Sequence, residues 1–175
     1  MPSILVFGAG KSATILIDYL VLQCSKRRFS LEVVDAQPGV ANEKVLKSCL
    51  RQGLEAAAFR GTAFDIHDHE HRLQSISKSD LVISLLPPHL HAIVAADCIE
   101  LGRPLFTASY VDPSIQERAS MIEQKGLLFL YEMGLDPGID HMSLMELLDK
   151  IRTEGGLPTR VFSHCGGLVA PESDD

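Results

Sequence analysis

The segment Gly8-Ala9-Gly10-Lys11-Ser12-Ala13 restricts the fold more than any other part of this chain. It follows a short apolar run, Ser3 to Phe7, and opens a stretch in which Ala13, Ile15, Leu16, Ile17, Leu20 and Val21 recur at helical spacing. In a G-x-G-x-x-A turn between strand and helix, the first glycine makes the tight turn and the second lets a pyrophosphate approach the backbone. The small third residue lets helix and strand pack closely. The phosphates then meet a helix N-terminus, where unpaired N–H groups and the dipole favour negative charge. In this context the turn predicts a dinucleotide site, the alternative being a purely structural glycine turn.

Apolar runs and helical stretches alternate through the rest of the chain, the pattern of βα units around a parallel sheet. Strands are expected at residues 31–35, 54–59 (ending near Asp65), 81–86, 104–107 and 127–130, and helices at 41–50, 89–101 and 114–125. Pro87 and Pro88 close the fourth strand, and Gly102 ends the helix that follows. The expected fold is therefore α/β, a Rossmann-type doubly wound parallel sheet occupying residues 1–137. Beyond it the pattern changes to one long helix, 138–153, and a strand, 159–165, the expected start of a second α+β domain over 138–175.

Composition narrows the function. Hydrophobic residues are 46% and charged residues 22% of 175, which excludes global disorder. The formal charge of −7 and the lack of a basic stripe argue against a nucleic-acid partner. The four cysteines form no C-x-x-C pair, so neither zinc nor a disulfide framework is indicated, and reduced thiols in a cytoplasmic protein are expected. No apolar run approaches the roughly 20 residues of a membrane span, and no basic segment precedes the first one.

Candidate site residues lie at strand ends. Asp35 ends the second strand, where a carboxylate accepts from adenosine ribose hydroxyls and repels a 2′-phosphate. No arginine or lysine follows it closely, so NAD is expected in preference to NADP. Asp65 and Ile66, after the third strand, are candidates for adenine contact. The run His67-Asp68-His69-Glu70-His71 resembles a metal cluster but reads better as a solvated helix start, and no metal is expected. His89 and His91 are likewise assigned to a helix start. Two polar segments, Thr107 to Pro113 and Tyr131 to His141, follow the fifth and sixth strands and should converge on the nicotinamide end of the cofactor.

These segments carry a resemblance. GAGKSA, LLPPHLHAIVAADCIELGRPLFTASYVDPS, YEMGLDPGIDHMSLMELLDKI and CGGLVAPESDD are similar to motifs of the saccharopine dehydrogenase family, glutamate-forming class. The resemblance implies an oxidoreductase of lysine metabolism, with hydride transfer between a nicotinamide and the C–N bond of saccharopine, through an imine. It also implies a small amino-acid substrate and a homodimer at full length. Carried over residue by residue, it places Gly8, Gly10, Lys11, Ser12 and Ala13 at the phosphate turn and Asp35 at the ribose. Leu86 and Pro87 fall beside the nicotinamide, and Ser109 and Tyr110 at the junction of cofactor and substrate. Leu135, Asp136 and Pro137 form the loop over the nicotinamide, with Asp136 as an orienting catalytic residue. NADP-using members commonly carry a basic residue just after strand two, which Asp35-Ala36-Gln37 lacks, and Pro88 stands where an aromatic residue is common. The family continues past Asp175, so a fragment without turnover is expected. The alternatives are a noncatalytic NAD-binding module and an enzyme of the carboxyspermidine dehydrogenase type.

Overall fold

A computed structural model describes residues 1–164 and 166 of the chain. Six parallel strands form one sheet: β1 (Ser3–Phe7), β2 (Ser30–Asp35), β3 (Phe59–Ala63), β4 (Leu81–Ser84), β5 (Leu105–Thr107) and β6 (Phe129–Leu130). Their order, β3-β2-β1-β4-β5-β6, is that of a doubly wound dinucleotide fold, and it reverses direction between β1 and β4. β1 is covered on both faces, as a central parallel strand must be. Leu5 and Phe7 join one core with Val82, Val94, Cys98 and Leu105, while Val6 joins another with Ala13, Ile17, Val33 and Val45.

The helices are α1 (Ala13–Arg27), α2 (Val40–Gln52), α3 (His69–Ser77), α4 (His91–Leu101), α5 (Pro113–Gln116), α6 (Ala119–Gln124) and α7 (Ile139–Thr153). α1 buries Ala13, Ile17, Leu20, Val21 and Cys24, a single stripe at helical spacing. It closes on Arg28 in the left-handed conformation, with the Phe29 N–H donating back to the Cys24 carbonyl at 2.9 Å. α2 closes in the same way, the Leu54 N–H donating to Cys49 O at 2.9 Å.

That closure displaces the third strand from its expected position. Residues 54–58 leave α2 and turn, so β3 begins only at Phe59 and runs through Gly61. A side chain on Gly61 would collide with the backbone of Ala41 and Asn42, so this glycine sets how closely α2 can lie on β3. The helix expected over 114–125 divides into α5 and α6. Between them the Arg118 and Met121 N–H groups donate three residues back, to Ile115 O and Arg118 O, a locally tighter winding. A short 3₁₀ turn, Pro88–Leu90, precedes α4. Residues 159–164 are irregular where a strand was expected, having no neighbouring strand among the described residues, and Cys165 lies outside them. No helix among the described residues is long and apolar enough to cross a membrane.

Candidate functional site

The carboxyl ends of β1, β2 and β4 surround a cleft of about 360 Å³, open where the strand order reverses. Gly8, Gly10, Asp35, Asp65, Ile66, Leu86 and Pro87 all line it, with Phe7, Phe64 and Leu90 forming apolar wall. Gly8 has a positive φ of +98°, and a Cβ there would press on the Leu85 carbonyl at 2.9 Å. The turn can therefore pass beside β4 only without a side chain. At Gly10 the situation is opposite: a Cβ would meet nothing within 4 Å, leaving open space before the α1 N-terminus. Among the described residues, the N–H groups of Gly10, Lys11 and Ser12 find no protein acceptor. Lys11 and Ser12 are exposed at this end, whereas Ala13 is fully buried against the sheet. The cradle thus fits a dinucleotide pyrophosphate.

Asp35 is fastened to the fold. Its Oδ2 accepts from the Ala9 N–H at 2.8 Å and its Oδ1 from the Gln37 N–H at 2.9 Å, tying the end of β2 to the glycine turn. A cation does approach this corner, from a place the sequence did not suggest. Lys44, in the second turn of α2, donates its ammonium to the Gly10 carbonyl, and to Thr14 Oγ1 at 2.9 Å. Lys44 and Gly10 are far apart along the chain, and only the packing of α2 beside α1 brings them together.

Asp65 Oδ1 accepts from the His67 N–H at 2.8 Å, which shapes the loop carrying Ile66. The histidine run that follows is a helix start, as expected. Asp68 caps α3 by accepting from the His71 N–H at 3.2 Å, and its other oxygen pairs with His71 Nδ1 at 2.8 Å. The His71 ring stacks on Phe64, with centroids 5.6 Å apart. No group of three or more potential metal ligands occurs among the described residues. Behind this loop, Arg72 is buried, with its Nε on Asp97 of α4 and its Nη1 on the Ile66 carbonyl.

A second polar cluster lies beyond the ends of β4 and β5. Ser109 is half-buried, and its Oγ lies 2.8 Å from Nε2 of His91, whose Nδ1 lies 2.8 Å from Ser84 Oγ. His91 is thus a buried side chain at the floor of the rim, more than the helix start expected of it. Burial, with a smaller contribution from His89, holds its imidazole below the ordinary value. Tyr110 is exposed and donates its hydroxyl to Asp136 Oδ1 at 3.0 Å. That bond, ahead of burial and the neighbouring carboxylates, raises the phenol's pKa. The loop bearing Leu135, Asp136 and Pro137 is pinned to β5, the Glu132 N–H donating to Ser109 O at 3.0 Å and the Met133 N–H to Thr107 O at 3.1 Å. Leu135 is exposed and Pro137 buried. The expected residues therefore form two groups: the cleft proper, and a rim cluster of Ser109, Tyr110 and Asp136 beside it.

Residues 4–130 match the family described as the saccharopine dehydrogenase NADP binding domain, and residues 134–175 match the saccharopine dehydrogenase C-terminal domain. The chain belongs to the saccharopine dehydrogenase family. A fission-yeast relative (Schizosaccharomyces pombe), saccharopine dehydrogenase [NADP(+), L-glutamate-forming], is 31% identical over 182 residues, covering 100% of this chain and 36% of its own. Bovine (Bos taurus) mitochondrial alpha-aminoadipic semialdehyde synthase is 35% identical over 173 residues, covering 98% of this chain and 17% of its own. The chain thus spans about a third of the yeast relative and about a sixth of the bovine one. Among solved structures, apo saccharopine dehydrogenase (L-Glu forming) from Saccharomyces cerevisiae shares the fold, with a TM-score of 0.71 at 24% identity, over 89% of this chain and 32% of that one.

These matches correct the cofactor expectation. The family is NADP-binding, and the yeast relatives are named for NADP(+), so the preference for NAD read from Asp35 does not hold. The inference weighed only the residues next to Asp35 in sequence. Both its oxygens are already engaged by backbone N–H groups, and Lys44 stands at the adjoining turn.

Proposed function

We propose that this chain is the nucleotide-binding part of an NADP-dependent, saccharopine dehydrogenase-type oxidoreductase. The observation that carries this reading is the open cradle at Gly10, set in a cleft at the reversal point of the sheet. Gly8, Gly10, Lys11 and Ser12 would hold the pyrophosphate, and Ala13 would seat α1. Asp35 would take a ribose hydroxyl, with Lys44 as the cation for the 2′-phosphate. Asp65 and Ile66 would bound the adenine, while Leu86 and Pro87 would exclude water beside the nicotinamide.

NADP, when bound, supplies the hydride acceptor. The chain's own part in oxidation of the saccharopine C–N bond is to orient it: Ser109 and Tyr110 as hydrogen-bonding groups, Asp136 as the orienting carboxylate, and Leu135 and Pro137 as the cover. Residues 1–137 would form the nucleotide-binding unit and 138–175 the start of the second domain. α7 supports this division, since none of its residues is buried. Its exposed Ile139, Met142, Met145 and Leu147 are apolar surface that a full-length homodimer could cover. Cys24, Cys49 and Cys98 are free and buried, as suits a reducing compartment, and we place the protein in the cytoplasm.

Calorimetric titration of the chain with NADP⁺ tests the reading. One saturable site is expected, lost in Gly10→Val, whose branched side chain fills the cradle while circular dichroism stays unchanged. Undiminished binding by a folded Gly10→Val variant would rule the cradle out.

A further inference from the structure

The hydroxyl of Ser109 is controlled from inside the sheet. Ser84, the last residue of β4, is fully buried, and His91 Nδ1 is the one hydrogen-bond partner of its Oγ among the described residues. His91 is only 2% exposed and spans from that contact to Ser109 Oγ. Thr107 Oγ1 adds longer contacts of 3.5 Å to Nδ1 and 3.3 Å to Nε2, and accepts the Ser109 N–H at 3.3 Å.

A neutral imidazole carries its proton on one nitrogen, and the two choices differ here. With the proton on Nδ1, the ring donates to Ser84 Oγ and the Ser84 hydroxyl proton is left buried without an acceptor. A buried donor stranded in this way disfavours that tautomer. With the proton on Nε2, Ser84 donates to Nδ1 at 2.8 Å, Nε2–H donates to Ser109 Oγ, and the buried Thr107 hydroxyl keeps a longer contact of 3.5 Å to the same Nδ1, whereas Ser84 has no second acceptor. The Ser109 hydroxyl hydrogen is then the free end of the chain.

We propose that His91 is a positioning residue which, through the buried Ser84–His91–Ser109 relay, holds the Ser109 hydroxyl as a hydrogen-bond donor toward the rim. Ser109 then recognises an sp² oxygen, either a carboxylate of the amino-acid substrate or the carboxamide oxygen of the cofactor. The ligand half of this inference rests on the dinucleotide reading above, whereas the tautomer does not.

Two measurements on the full chain decide it. In ¹H–¹⁵N correlation spectra of the histidine rings, assigned with His91→Gln, His91 should show an unprotonated Nδ1 and a protonated Nε2. Ser84→Ala should abolish that single-tautomer pattern. A protonated Nδ1 in the wild type overturns the relay. For the ligand, NADP⁺ is titrated alone, and L-glutamate in its presence. Ser109→Ala and His91→Leu should weaken one of the two by about three- to tenfold. His91→Gln, which returns an N–H near the Nε2 position, should stay within about twofold. Loss in the first arm assigns the carboxamide and loss in the second the carboxylate; loss in neither overturns the recognition role. Ser109→Ala guards against a folding failure of His91→Leu. If the wild type binds no NADP⁺, the dinucleotide reading falls, while the tautomer still stands or fails by its own spectrum.

Discussion

At the scale of single residues, Lys44 reaches the glycine turn and His91 reaches the rim from other elements of the fold. Lys44 donates only to a carbonyl and a hydroxyl and meets no carboxylate among the described residues, in contrast to Lys47, which pairs with Glu43, and Arg51, which pairs with Asp18. A 2′-phosphate would offer it a charge-assisted bond. Lys44→Ala should therefore weaken NADP⁺ binding by about tenfold and leave NAD⁺ binding within about twofold, as read by calorimetry. Equal losses for both would place Lys44 in the structure of the turn instead. His91 makes a second prediction, in stability. Its folded-state pKa lies below the ordinary 6.5, so between the two values the unfolded chain binds a proton that the folded chain refuses. Stability contributed this way is complete above the ordinary value and falls as pH drops below it. His91→Gln should flatten the fall in melting temperature between about pH 7 and pH 5.5. Asp18, Asp68, Asp112 and Asp140 are held below 3.8, so their losses begin at lower pH and do not mask the effect.

At the scale of elements, α3 and α4 are joined by a buried ion pair that also anchors the loop carrying Ile66. Arg72 and Asp97 are each 6% exposed, and Arg72 additionally donates to the Ile66 carbonyl. Removing one partner strands a buried charge, so Asp97→Ala should cost about 3–5 kcal/mol, measured by denaturant unfolding. The double variant Arg72→Met/Asp97→Leu should recover most of that stability, because the desolvation of both charges is relieved. It should nevertheless bind NADP⁺ less tightly than wild type, since nothing then holds the Ile66 carbonyl. Full affinity in the double variant would show that this loop needs no anchor. The elements were legible from the chain where local chemistry coincides with the tertiary demand. β1 matches its apolar run from end to end, and α1 follows its stripe and its basic end. β3 was displaced because residues 54–58 are spent in leaving α2, and Gly61 leaves room for α2 to lie across the strand.

At the scale of the whole molecule, the proposed cofactor cleft and the rim cluster differ in how completely this chain provides them. The rim segments 107–113 and 131–141 carry the carboxylates of Asp112, Glu132, Asp136 and Asp140 and no lysine or arginine, whereas saccharopine brings three carboxylates of its own. Like charges at such a site repel, and anionic substrates need cationic partners. We therefore expect the 175-residue chain to bind NADP⁺ yet form no NADPH from saccharopine in a spectrophotometric assay. Turnover by the chain would show that the rim residues hold the substrate without cationic partners from elsewhere. The sequence by itself determined the parallel α/β class, the glycine turn and the family. Each is written in contiguous residues, where strand, turn and helix succeed one another and local sterics act directly. The contact of Lys44 with the glycine turn, the buried His91 cluster and the Arg72–Asp97 pair were decided only by tertiary structure. Lys44 meets Gly10, Ser84 meets His91 and Ser109, and Arg72 meets Asp97 across different elements. Whether a polar side chain faces solvent, a ligand or another buried group depends on which elements pack together, and residue spacing alone does not encode that.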